Sequence, residues 1–163
     1  MRRSPKPYHL VDLVRDAKLH QHSLILWPAR WKEYRSASLL KWKTRVFAPK
    51  ARKGIPDKPG VYAFLIQPRT AGINVSCLMY IGKTDRSLKT RFGEYLSEAE
   101  SAAGRPALSV VLKLYAGYLR FSYAPVMRTG MAGEVEERLI QAFLPPLNRQ
   151  YPAKVRRVMA AFR

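Results

Sequence analysis

The sequence holds one cysteine, Cys77, which excludes an internal disulfide and any cysteine-rich zinc module. That usage fits a reducing interior, and the expected location is cytoplasmic, nucleoid-associated in a bacterium. Long apolar runs are missing too: none comes near the roughly 18 residues that a membrane helix needs. The opening MRRSPKPYHLVDLVRDAK carries charges where a signal peptide needs its apolar stretch. Neither a membrane partner nor conventional secretion is therefore expected. Acidic residues are scarce, with 11 Asp plus Glu against 30 Lys plus Arg, a net charge of +19 in 163 residues. Such an imbalance argues against cationic ligands and points to a polyanionic partner. What is present suffices for a core: 47% apolar and 11% aromatic residues exclude wholesale disorder, and the length suits one domain with an extension.

The first 58 residues hold 15 basic and 4 acidic side chains, a charge of +11, and the remaining residues hold 15 and 7, a charge of +8. Arg30, Lys32, Arg35, Lys41, Lys43, Arg45, Lys50, Arg52 and Lys53 alternate there with Trp31, Tyr34, Trp42 and Phe47. Cations neutralise phosphates while aromatic faces stack on exposed bases, so this stretch is the candidate nucleic-acid-binding surface. A plainer reading is compatible with it: Trp27, Trp31, Leu39, Leu40 and Trp42 dock an arm on the main core and leave the bases as a solvated face. Leu10, Leu13, Val14 and Ala17 share one face of a short helix. Residues 48–59, with three prolines and a glycine, read as a linker. The chain thus divides into a basic, aromatic-rich helical extension over 1–58, a main domain over 59–149 and a basic C-terminal helix over 150–163.

In the main domain the apolar runs GVYAFLI and VSCLMYIG flank a turn-like QPRTAGIN, which predicts a hairpin. Leu88, Phe92 and Leu96 then recur at steps of four behind Ser87, a plausible N-cap. Arg91 and Tyr95 stack on neighbouring turns of that helix and can face one site. A second helical pattern, PALSVVLKLYAG, precedes a strand with Leu119, Phe121 and Tyr123 on one face. A last helix, with Val135, Leu139 and Phe143 as its stripe, stops at Pro145-Pro146. The class is α+β. Glu136 borders the final stripe, and a partly buried carboxylate needs an Arg, a Lys or a divalent metal, or else interacts with the helix N-terminus.

Gly60-Val61-Tyr62 followed by Tyr80-Ile81-Gly82 resembles the paired signature of the GIY-YIG nucleases. The match continues through Lys83-Thr84, Arg91, Tyr95, Glu136 and Pro145-Pro146-Leu147-Asn148, in the family's order. It spans roughly Gly60 to Asn148. The resemblance implies a small three-stranded antiparallel sheet flanked by helices, and DNA hydrolysis with one divalent ion, Mg²⁺ or Mn²⁺. It assigns Glu136 as the sole protein ligand of the ion and Arg91 as the contact to the scissile phosphate. Tyr62 and Tyr80 would orient the attacking water, one of them as general base, with Lys83 favouring the phenolate or holding the water. Tyr95 and Asn148 complete the set, Asn148 by hydrogen bonding. The 17 residues between Tyr62 and Tyr80 exceed the spacing of compact members, so QPRTAGIN reads as a longer hairpin loop.

The expected function is therefore a metal-dependent endodeoxyribonuclease whose partner is DNA. A restriction role calls for a homodimer, and a specificity-providing partner protein is the other route to sequence choice. The alternative is a non-catalytic nucleic-acid-binding module within a larger complex, because +19 supplies affinity without chemistry.

Overall fold

A computed structural model describes residues 17–18, 20–34, 40–68, 73–101, 106–128, 130–148 and 156. The opening helical stripe up to Val14, the candidate contact Arg35, the docking residue Leu39 and the C-terminal helix apart from Arg156 lie outside these.

The fold is α+β, as the alternating and helical patterns imply. Strands β2 (Gly60–Ile66) and β3 (Cys77–Thr84) form the antiparallel hairpin, with Tyr62 opposite Gly82 and Phe64 opposite Tyr80. Strand β4 (Leu119–Pro125) pairs with the other side of β2. The sheet has four strands, however, in the order β1-β4-β2-β3. The three-stranded expectation is corrected by β1 (Lys43–Val46), which lies in the basic stretch and runs antiparallel to β4. The physical reason is backbone pairing: β4 is buried along most of its length, so its outer N–H and C=O groups need a ladder. A Thr44–Ser122 hydroxyl bond of 3.1 Å reinforces the pair. The charged, exposed β1 makes a polar edge strand in its turn.

Residues 48–59, expected to link two parts of the chain, are mostly exposed, with Ile55 buried among them. Pro49–Gly54 forms a 3-10 turn framed by buried Phe47 and Ile55. Phe47 meets Phe64 and Phe92 edge-on, each at 5.1 Å between ring centres.

Short helix α1 (Pro28–Glu33) precedes β1, and α2 (Leu88–Ser101), α3 (Pro106–Leu114) and α4 (Met131–Phe143) flank the sheet. Ser87 caps α2, its Oγ accepting the Thr90 N–H at 3.2 Å. α4 ends where Leu144 turns left-handed at φ 46°, with its N–H bonded to the Ile140 carbonyl, just before Pro145-Pro146.

Alternation along the strands divides the core into two layers. One face presents Tyr62, Phe64, Tyr80, Phe121 and Tyr123 to α2, α3 and Phe47. The other presents Val61, Ala63, Ile81 and Ala124 to Val135, Leu139 and Ile140 of α4. Trp27, Leu40 and Trp42 pack against this second layer, as the core-docking reading expects. Trp31 stays partly exposed and stacks on Phe143. Among the described residues no helix is long and apolar enough to cross a membrane.

Candidate active site

The two glycine-tyrosine triplets meet at one end of the sheet, and packing explains their glycines. A Cβ on Gly60 would lie 2.4 Å from the Ala124 carbonyl oxygen. A Cβ on Gly82 would lie 2.6 Å from the Tyr62 hydroxyl, so the phenol lies flat across the glycine facing it. Tyr62 is 1% exposed as a result.

Around that hydroxyl four of the expected residues converge. The Tyr62 and Tyr95 hydroxyls are 2.9 Å apart. Arg91 donates Nε–H to Tyr62 and an Nη2–H to Tyr95, both at 3.1 Å, and its guanidinium lies 4.5 Å over the Tyr95 ring. The helical step from Arg91 to Tyr95 makes this double contact possible. Tyr80 is the fourth, its ring tilted 6.4 Å from that of Tyr62.

Glu94, a residue that sequence reasoning missed, holds the guanidinium from behind. Arg91 donates to it at 2.6 Å and Arg86 at 2.7 Å. The i, i+3 spacing from Arg91 was the sequence signal for it. The Arg91 bond, followed by that from Arg86, keeps the Glu94 carboxyl below its ordinary pKa.

Burial, then the neighbouring Tyr80, pushes the Tyr62 phenol up to about 12, against the opposing pull of Arg91 and its hydrogen bonds. Burial also raises Tyr95, with Tyr62 adding to it. Burial alone would lower Arg91, but its interactions with Tyr62, Tyr95 and Glu94 together hold the guanidinium above its ordinary value. At neutral pH the cluster is thus a permanent cation bound to two neutral phenols. Three of the five guanidinium N–H groups serve these bonds, so two remain as donor capacity toward a ligand.

Lys83 and Glu136 belong to the other side. Lys83 stands opposite Val61, on the aliphatic face, and its side chain runs past Gly133 of α4. Its ammonium pairs with Asp85 at 2.7 Å. That hydrogen bond chiefly, with Glu136 as a further negative charge, raises its pKa. Lys83 is therefore beside Tyr80 in sequence but across the sheet from its ring. Glu136 is half-buried on α4. Among the described residues no group of three or more His, Cys, Asp and Glu side chains is placed to hold a metal ion.

Asn148 is buried at the β3 edge, where its Oδ1 accepts the Ile81 N–H at 2.9 Å and its Nδ2 donates to the Ile81 carbonyl at 2.8 Å. It fixes the strand between the two halves of the site.

Of the expected nucleic-acid contacts, Lys32, Lys41, Lys43, Arg45, Lys50, Arg52 and Lys53 are exposed. Arg30 bonds Glu33 at 2.9 Å and stacks on Trp27, and the Arg52 guanidinium lies against Gly93 of α2.

No family model, no curated protein and no solved structure matches this chain.

Proposed function

We propose that the protein is a divalent-metal-dependent DNA endonuclease of the GIY-YIG type. The observation that carries this reading is the Arg91 guanidinium, oriented by Tyr62, Tyr95 and Glu94 at the end of β3. A cation fixed by three partners binds phosphate oxygens with little loss of side-chain freedom, and it favours the charge that grows on them during hydrolysis. Tyr62, with its pKa near 12, suits the role of hydrogen-bond donor better than that of base. Tyr80 is then the candidate to orient the attacking water and take its proton. Lys83 acts from the opposite face, holding its charge close to Glu136 rather than to the Tyr80 ring.

The donor set fits an ion taken up together with substrate: one half-buried carboxylate, Glu136, with water and phosphate oxygens completing the shell. When bound, Mg²⁺ or Mn²⁺ would neutralise phosphate charge. One observation favours the competing binding-module reading, namely that Arg91 has a packing task of its own between two tyrosines.

The test is cleavage of supercoiled, linear and branched DNA with Mg²⁺ or Mn²⁺. Arg91→Ala is expected to lower the single-turnover rate by about 10²–10³. Glu136→Ala should abolish cutting while leaving the melting temperature nearly unchanged, because this side chain is only half-buried. Undiminished activity in Glu136→Ala would refute the assignment, and binding without cutting by the wild type would favour the module.

A further inference from the structure

A cleft of about 680 Å³ opens at the same end of the sheet as Arg91. Lys41 and Lys43 enter it from the start of β1, Lys53 from the 3-10 turn, and Lys58 from the segment leading into β2. Its lining is otherwise apolar, chiefly Tyr123, Pro125 and Met127, and the Tyr123 hydroxyl donates to the Gly54 carbonyl at 3.1 Å. All four lysines are exposed. Among the described residues no carboxylate lines the cleft and none pairs with these ammonium groups. The exposed Asp57, next to Lys58 in sequence, is not part of the lining.

Four like charges around one concavity repel each other unless an anion with several spaced charges joins them. A phosphodiester backbone provides such charges, and its sugars suit an apolar floor, whereas a compact inorganic polyphosphate gains nothing from the floor. The register places this cleft relative to the reacting centre. Lys43, Tyr123, Tyr62 and Gly82 form one row across the four strands. Two strand spacings, about 10 Å, separate Lys43 from Tyr62. Lys58 ties the cleft to the helix that carries Arg91, because its carbonyl accepts the Leu88 N–H at 2.9 Å at the start of α2.

We propose that this lysine cleft holds the DNA backbone to one side of the phosphate at Arg91. The position rests on the nuclease reading, but the binding does not require cleavage. Lys58, which the sequence pattern left out of the basic surface, becomes the residue joining the surface to the site.

The experiment measures binding of the full chain to a fluorescein-labelled duplex across a salt series. Lys43→Gln/Lys58→Gln is expected to flatten the slope of log Kobs against log salt by about 1.8, two contacts at about 0.9 each. Lys18→Gln/Lys113→Gln removes the same charge from exposed positions outside the cleft and should leave the slope unchanged. Equal slopes in both double variants would overturn the proposal, as would displacement of the duplex by tripolyphosphate at matched charge. If the wild type also cuts, methylphosphonates on one side alone of the scissile phosphate should weaken binding, and symmetric effects would overturn it. A slope change without cutting would leave the cleft standing and the nuclease reading refuted. Cutting without a slope change would do the reverse.

Discussion

The two faces of the sheet are built from the same strands and do different work. The face toward α2 is aromatic, with Tyr62, Phe64, Phe92, Tyr95 and Phe121 in mutual ring contact. Two of its tyrosine hydroxyls, those of Tyr62 and Tyr95, hold a guanidinium. The face toward α4 is aliphatic, and its charges, Lys83 and Glu136, gather at the rim. Aromatic packing thus combines a dry interior with polar handles, so this face can carry a preorganised cation, whereas the aliphatic face keeps its charged groups at the border.

The sharpest way to test this contrast is to remove one group from each side. Phe121→Ala, which empties a ring from contact with Tyr62, Phe64, Phe92 and Tyr123, is expected to cost about 3–5 kcal/mol in urea denaturation. Ile140→Val on the aliphatic side should cost only about 0.5–1.5 kcal/mol. Equal losses would mean that the faces are energetically alike.

Alkaline titration probes the aromatic face through Tyr62. The Tyr62 phenol is raised from 10.0 to about 12, so folding favours its protonated form. Its contribution is full below pH 10 and is lost as pH rises through about 12, on the order of 3 kcal/mol. Tyr62→Phe should flatten that part of the stability profile, and an unchanged profile would show that Tyr62 is not the group responsible.

A smaller effect is expected from Gly82→Ala. The new methyl would meet the Tyr62 hydroxyl at 2.6 Å, forcing the phenol away from Arg91. A loss of about 1–3 kcal/mol should appear in thermal melts, together with slower cleavage. Full stability with full activity would show that the close approach is dispensable.

Most of the sheet was legible because β2 and β3 are short apolar runs flanking a turn and β4 sets Leu119, Phe121 and Tyr123 on one face, and α2 was legible from its N-cap and its steps of four. Strand β1 was not, since Lys43, Thr44, Arg45 and Val46 are all exposed and carry no alternation. Its existence depends on β4, some 75 residues later, which no local pattern reports. The Tyr62, Arg91 and Tyr95 grouping followed from motif order and helical spacing. The separation of Lys83 from Tyr80 was written in strand parity, an odd position against an even one, and motif adjacency obscured it. Glu94 escaped notice because an acidic residue on a helix in so basic a chain reads as ordinary surface.

The segment after α4 has a bearing on how the chain can be shortened. Leu147 donates its N–H to the Met79 carbonyl at 3.0 Å, and the Asn148 side chain occupies both hydrogen-bonding groups of Ile81. Two residues thus close the outer border of β3, which would otherwise offer a ready template to another strand. A chain cut after Pro146 would keep every helix and strand given a range above, yet it should gain a tendency to self-associate through that border.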